Sequence, residues 1–488
     1  MREFSMKRSS SNQGSITIYL CLVLSVLLSL IFVGLHSACI AAGRTALASG
    51  LEQGLYSLFA GYDREMFDTY GLLFMDGGYG TGDLKLEEIY REVQEAAEAV
   101  VDPDRLLDIK LERGSLDGYI LATDQGGAAF RRQICAVMEK KLGISGIQLL
   151  SDTLEDQFGI MKSQEQQKEQ AGTEEAECDY EEQKKTAAET AEEREQERKD
   201  VEVPPDFENP IEVIQKVRKM GILGLVISDI SDLSGYTLGN EELLEDRELQ
   251  QGMGVVSETK TGLGEKLLLL EYLSEFFPCY TSGEQREGLR YQIEYAIGGK
   301  RDDMENLKSV VYRLLAVREA SNLMYLCGSP ARCAEADEMA LIISTILFIP
   351  EAYALVSFVL KICWAYGESI LDIRELLDGG KIPLLKDDTS WQLSLNSLSG
   401  LLIQGDEERH SSEGLDYQWY LRLLLLMKDE DSLTRSLMNL TEYNMRIQGG
   451  NPGFCLDTCV ESASVTLSAR IRSSSFSITR SYGYDMDH

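Results

Sequence analysis

Hydrophobic positions divide the 488-residue chain into stretches of different character. Residues 16–35, "ITIYLCLVLSVLLSLIFVGL", form a nearly unbroken apolar run of twenty, and no charged residue occurs between Arg8 and Arg44. At about 1.5 Å per helical residue this run spans roughly 30 Å, the hydrocarbon thickness of a bilayer. Beyond it, Leu47, Leu51, Leu55, Leu58, Phe59, Tyr62 and Met66 recur at three- and four-residue spacing. That period predicts one helix rooted in a membrane and projecting from it with an apolar stripe. "YGLLFMDGGYGTGD" (70–83) ends this stem in a glycine cluster. Helices are expected over 84–101 and 127–142, and an alternating strand over 106–116.

Residues 162–200 contain no Ile, Leu, Val, Met, Phe or Trp. Such a segment has no apolar heptad and reads as a solvated linker or lone helix, closed by Pro204, Pro205 and Pro210. Helical patterns follow at 210–227, 264–277, 288–297, 302–326 and 415–446. The apolar stretch 339–377 is interrupted by Pro350, Glu351 and Lys361, so it reads as two core helices rather than a second span. At the C-terminus, 460–485 alternates with period two and predicts two strands.

The expected fold class is α+β, mainly α. It comprises a transmembrane and stem helix, a small sheet joining residues 106–113 to the C-terminal strands, and a large helical insertion whose ends must lie close together. The expected organisation is a basic cytoplasmic segment (1–14), a transmembrane helix (15–43), a stem with an α/β segment (44–160), a charged linker (161–209), a helical domain (210–446) and a C-terminal β segment (447–488).

Charge adds orientation. The formal net charge is −34. Arg2, Lys7 and Arg8 precede the apolar run and acid-rich sequence follows it. Positive flanks stay inside, which places the N-terminus in the cytoplasm and the bulk of the chain outside. A cleaved signal has an apolar region of only about 7–15 residues, so length favours a retained anchor over a signal cut near "ALAS" (46–49). A body this acidic repels phosphate backbones and speaks against nucleic-acid partners. In the membrane, Gly34, Ser37, Ala38, Ala41 and Ala42 allow close helix approach.

Candidate chemistry is sparse. Three histidines (His36, His410, His488) sit at no zinc spacing. Asp76 and Asp83 lack the alternating acids of a calcium loop, and "GGKRDD" (298–303) has Glu294 where a phosphate loop needs Gly. No catalytic, cofactor or metal residues are assigned, and the chain is expected not to be an enzyme. Cys327 with Cys333, and Cys455 with Cys459, are spaced to close small disulfide loops outside the cytoplasm. Polar residues amid apolar ones, Glu294, Tyr295, Lys300, Asn306, Arg318 and Asn322, then Trp364, Glu368, Asp372 and Arg374, are read as a buried polar network.

"QGSITIYLCLVLSVLLSLIFVGLHSA" resembles the anchors of the TadE/TadG group of pilin-like proteins of Tad (Flp, type IVb) pilus systems. "YSLFAGYDREMFDTYGLLFMDGGYG", "LRYQIEYAIGGKRDDMENLKSVVYRLLAVREASN", "WAYGESILDIRELLDGGKIPLLK" and "YQWYLRLLLLM" are similar to a family of uncharacterised proteins of Gram-positive anaerobes encoded near Tad-like genes. In type IV pilins a peptidase cuts after a Gly just before the apolar helix, and a Glu stands at the fifth mature position. The resemblance makes Gly14–Ser15 the processing site, and Tyr19 stands where that Glu would be. It implies a non-catalytic, single-pass component of a Tad-like pilus or secretion apparatus. Its partners would be the membrane and other pilin-like or apparatus proteins, including copies of itself. The other expectation is an anchored surface module that binds a wall polymer or a protein, which a concave aromatic groove near Trp364 and Trp419 would favour.

Overall fold

Helix α1 (Gln13–Phe59) runs without a break through the apolar stretch and the stem. The computed structural model describes residues 13–104, 107–190, 208–239, 243–254, 263–283, 287–402, 413–471 and 474–484. Arg2, Lys7, Arg8, Pro204, Pro205, His410 and His488 lie outside the described residues. The described chain is mainly helical with one small antiparallel sheet, as the sequence predicts.

The stem ends at Phe59 because Asp63 caps a separate short helix, α2 (Arg64–Tyr70), accepting from the Met66 amide. Strand β1 (Met75–Asp76) follows, then α3 (Leu86–Val101) and β2 (Ile109–Leu121). Helices α4 (Asp124–Gln170) and α5 (Thr173–Thr190) come next. The first residues assigned to α4 are irregular: Gln125, Gly126 and Gly127 have left-handed backbone, so regular helix begins near residue 128, and Gly143 (φ 66, ψ 170) breaks it again.

Residues 161–190 correct the linker expectation. They are helical and packed, with Met161, Gln164, Ala176, Tyr180 and Ala187 buried. Lys168–Glu319 (2.6 Å), Arg218–Glu177 (2.6 Å) and Lys184–Glu212 (3.0 Å) fasten this polar face. A short buried stripe of small residues and one Tyr suffices when charged pairs hold the rest, and the hydrophobic pattern carries no sign of it.

The helical mass continues through α6 (Pro210–Arg218), α7 (Ile222–Val226), α8 (Leu263–Phe276), α9 (Gln292–Gly298), α10 (Asp303–Gly328), α11 (Pro330–Ile346), α12 (Tyr353–Leu377), α13 (Tyr417–Leu426) and α14 (Glu430–Ile447). Asn209, Asp302, Asp416 and Asp429 each cap a helix through a side-chain oxygen. The cap at Asp429 divides 415–446 into two helices. Helix α12 is long and apolar enough to cross a membrane, yet 72% of its apolar window is buried in the protein, against 0% for α1.

Strands β3 (Cys459–Ile471) and β4 (Ser474–Gly483) close the chain. Strand β3 is central, with β2 antiparallel along one edge and β1 and β4 along the other. The Ala122 amide donates to the Cys459 carbonyl (2.9 Å), so the helical insertion leaves and re-enters the sheet at one point. One sheet face (Ala463, Val465, Leu467, Ala469, Ile471) packs with Leu47, Leu51, Leu55 and Leu58 of α1 and Ile89, Val93 and Ala97 of α3. A second, larger core fills the helical mass.

Glycines let α3 lie close to α1. A Cβ at Gly54 would stand 2.6 Å from the Val93 carbonyl oxygen, a backbone atom that cannot swing aside. Gly159 in α4 meets nothing within 4 Å. Gly54→Ala is therefore expected to lower stability by about 1–3 kcal/mol despite the better helix former. Gly159→Ala should raise stability by about 0.5–1 kcal/mol. Thermal melting of the two variants in detergent checks both signs.

Candidate functional site

Two features stand out from the packed core: the exposed apolar half of α1 and a set of charges sealed among the helices. Large side chains from Ile16 to Leu35 are exposed, with Ile16, Leu24 and Leu30 at 64%, 54% and 69%. The contrast begins over the next three turns, where His36 meets Ser474, a Cβ at Gly43 would strike Ile471, and Leu47 is fully buried. Arg44, the first charge after Arg8, stacks over Phe476 at 5.8 Å. Soluble packing thus starts where the apolar run stops. Gly34, Ser37, Ala38 and Ala41 are exposed on this helix. Gly14 and Ser15 lie in its first turn.

The buried charges centre on Arg318 of α10, Glu368 and Asp372 of α12, and Lys386 in the segment after α12. All four side chains are completely buried. Arg318 Nε donates to Asp372 Oδ2 (2.9 Å), and Lys386 Nζ lies 2.7 Å from both Asp372 Oδ1 and Glu368 Oε1. Asn322 Nδ2 donates to Asp372 (2.9 Å), and Arg318 also donates to the Tyr420 hydroxyl (3.0 Å) and the Pro383 carbonyl (2.9 Å). The amides of Gln392 and Leu393 donate to Glu368. Burial opposes ionisation of Asp372, but Arg318 and Lys386 outweigh it and hold its carboxyl below the usual range. For Glu368, burial and the neighbouring Asp372 prevail over Lys386 and push the carboxyl up.

This arrangement joins Arg318, Asn322 and Glu368 as the sequence suggests, and it corrects the remainder. Lys300 is exposed, and its backbone rather than its ammonium pairs with Asn306. Glu294 belongs to a separate place, where it accepts from the Tyr417 hydroxyl (2.8 Å) and the Tyr280 amide (2.8 Å). Its Oε2 has no partner, and burial raises its carboxyl to about 7. Lys386 and Tyr420, which complete the network, were not assigned from sequence. Lys386 lies outside any periodic element, and Tyr420 reads as ordinary core.

A further ionic knot was not anticipated. Arg247 grips Glu442 with two bonds of 2.6 Å and Asp457 with one of 2.7 Å, and Arg446 adds a bond of 2.7 Å to Glu442. It ties residues 243–254 and α14 to the chain entering β3.

The four cysteines of the two pairs stand as free thiols. Cys333 Sγ is turned to the Leu326 carbonyl (3.3 Å), and Cys459 Sγ to the Cys455 carbonyl (3.6 Å). Close spacing does not by itself aim two sulfurs at each other. Burial pushes the Cys135 and Cys363 thiols up to about 12, which keeps them protonated and poorly nucleophilic. Among the described residues no group of three or more His, Cys, Asp or Glu could hold a metal ion. Asp76, at the end of β1, instead accepts from the Gly78 and Gly80 amides and shapes the glycine turn.

Two open clefts lie away from these charges, and a third of about 350 Å³ is lined by Tyr280, whose amide donates to Glu294. One of about 800 Å³ is lined by Asp179, Glu182 and the turn at Phe348–Ala352. Another of about 380 Å³ lies between Thr123–Gly126 and Leu249–Gly254. Neither is lined by Glu294 or Glu368. The tryptophans form no open groove: Trp364 is fully buried with its indole N–H on the Leu393 carbonyl, and Trp419 is half-buried beneath Arg422.

Removing Lys386 leaves two buried carboxylates facing each other. Lys386→Met is expected to destabilise the protein by about 3–5 kcal/mol, and adding Glu368→Gln should restore part of that loss. Urea unfolding of the two variants measures it. Glu294 gives a pH test. Its folded carboxyl titrates near 7 against 4.5 ordinarily, so the folded state holds a proton that the unfolded chain releases. The stability this confers is complete below pH 4.5 and is lost as pH rises through 7, by about 3 kcal/mol. Glu294→Gln should flatten that part of the stability–pH profile.

No curated protein and no solved structure matches the chain. A family model described as "Family of unknown function (DUF5702)" matches residues 200–471, more than half of the sequence, running from before α6 to the end of β3. The chain therefore belongs to this family of unknown function, DUF5702.

Proposed function

We propose that the protein is a non-catalytic structural or assembly component, held in the membrane by α1 with its globular mass on the outer side, in a Tad-like pilus or secretion apparatus. The observation that carries this reading is the continuity of α1. One helix passes from an exposed apolar half into a half whose inner face is core and whose outer face stays free. A rigid connection of this kind transmits position from bilayer to domain, as an assembly element needs. The basic residues Arg2, Lys7 and Arg8 set the N-terminus inside. The free face of α1 carries Gly34, Ala38 and Ala41, opposite the side that meets the sheet, and such small residues let like helices approach in lipid. Glu294, Glu368 and Asp372 are enclosed in packing, which supports a structural role for them.

Alkaline carbonate extraction of native membranes, with sequencing of the mature N-terminus, tests the proposal. Retention in the pellet with a start at Met1 or Met6 is expected for a permanent anchor. A start at Ser15 points to pilin-type processing and incorporation into a filament. Release into the supernatant with a start near Ser49 overturns the anchor.

A further inference from the structure

The two edges of the sheet are treated differently. Strand β2 is irregular, with register shifts between Glu112 and Ser115, Leu116 and Gly118, and Ile120 and Leu121. Its outer edge is also covered: the Met253 amide donates to the Tyr119 carbonyl (3.0 Å), and the Gly114 amide donates to the Tyr90 hydroxyl (2.7 Å). These are the devices by which proteins stop a strand from recruiting another. Strand β4 has none of them. Its ten residues pair with β3 in unbroken register from Ser474 to Gly483. It contains no proline and a single charge, Arg480, which is occupied by Glu52. From Ser475 to Ser481, among the described residues, its backbone makes one hydrogen bond besides those to β3, from Arg480 Nη1 to the Thr479 carbonyl (3.1 Å).

We propose that the outer edge of β4 is the surface at which a second copy of this chain adds, strand against strand. The partner such an edge selects is a strand free of carboxylates that alternates hydroxyl and mainly apolar side chains. Strand β3 already pairs with β4 on that pattern: Thr466 meets Thr479 (2.5 Å) and Ser468 meets Ser477 (2.9 Å) on the outer face, with apolar residues on the inner face. Strand β4 has the same alternation, so it is a fitting partner for itself. An edge strand free of carboxylates also gives copies of a strongly acidic chain a place to meet without opposed negative charges.

The anchor supplies alignment, and here the inference rests on the membrane reading above. Strand β4 climbs beside α1, with Ser474 at His36, Arg480 at Glu52 and Tyr484 at Phe59. Copies rooted in one bilayer would hold their β4 edges at one height and in one direction. Confinement to a surface raises the effective concentration of one edge for another.

The test uses the full chain in native membranes, with a benzophenone amino acid placed at Ser481 on β4 or, as control, at Asp117 on β2. Irradiation is expected to give an adduct of twice the chain mass from the β4 position, with peptides joining β4 to β4, and far less from the control. Adding S477K and T479K should lower that adduct roughly ten-fold, the order expected when like charges oppose one another across a strand pair. An unchanged melting temperature would show that the fold survives these lysines. An adduct only with a different protein, equal yields from both edges, or no adduct overturns the proposal. Carbonate extraction reads the anchor separately: a chain that leaves the membrane yet still crosslinks through β4 would sink the anchor and retain the edge.

Discussion

The antiparallel ladder between β2 and β3 is the constraint on which the rest depends. It joins residues 109–121 to residues 460–471, and the bond from Ala122 to Cys459 seals its inner end. Everything between is helical mass that must begin and finish at one place. Closing so long a loop costs only slowly increasing entropy, but it demands contacts that are distant in sequence. The sheet meets that demand with a buried apolar face, onto which α1 and α3 are laid. Without the ladder, α1 would have no domain to carry.

Ionic knots fix the joints of this arrangement. Arg247, Glu442, Arg446 and Asp457 lock the end of α14 to the entrance of β3. Arg318, Asp372, Lys386 and Glu368 lock the segment after α12 onto α10. Buried charges of this kind add little to stability compared with an apolar core, because desolvation offsets attraction. What they add is penalty for misplacement: a displaced Lys386 would leave its own charge and that of Glu368 without an ionic partner, while Asp372 would keep only Arg318. The same logic explains why an acidic chain tolerates carboxylates inside, where each lies beside a cation, backbone amides or a hydroxyl.

Much of this was legible from local pattern. The stem stripe Leu47, Leu51, Leu55 and Leu58 is core, and the C-terminal alternation is two strands. Pro350 separates two core helices, as its position suggests. The misreadings share a cause. Residues 161–190 look solvated because their packing depends on Tyr180, small residues and salt bridges to distant helices. The polar network was mis-sorted because sequence proximity put Glu294 with Arg318, whereas helix packing puts Arg318 with Asp372 and Lys386.

The sequence by itself determined the elements that carry an apolar period and the long apolar run of α1, because hydrophobic period and length are local properties of the chain. Tertiary structure alone decided which charges share a cavity, which edge of the sheet is covered and which face of α1 stays free. Those depend on distances between residues hundreds of positions apart, and no local period encodes them.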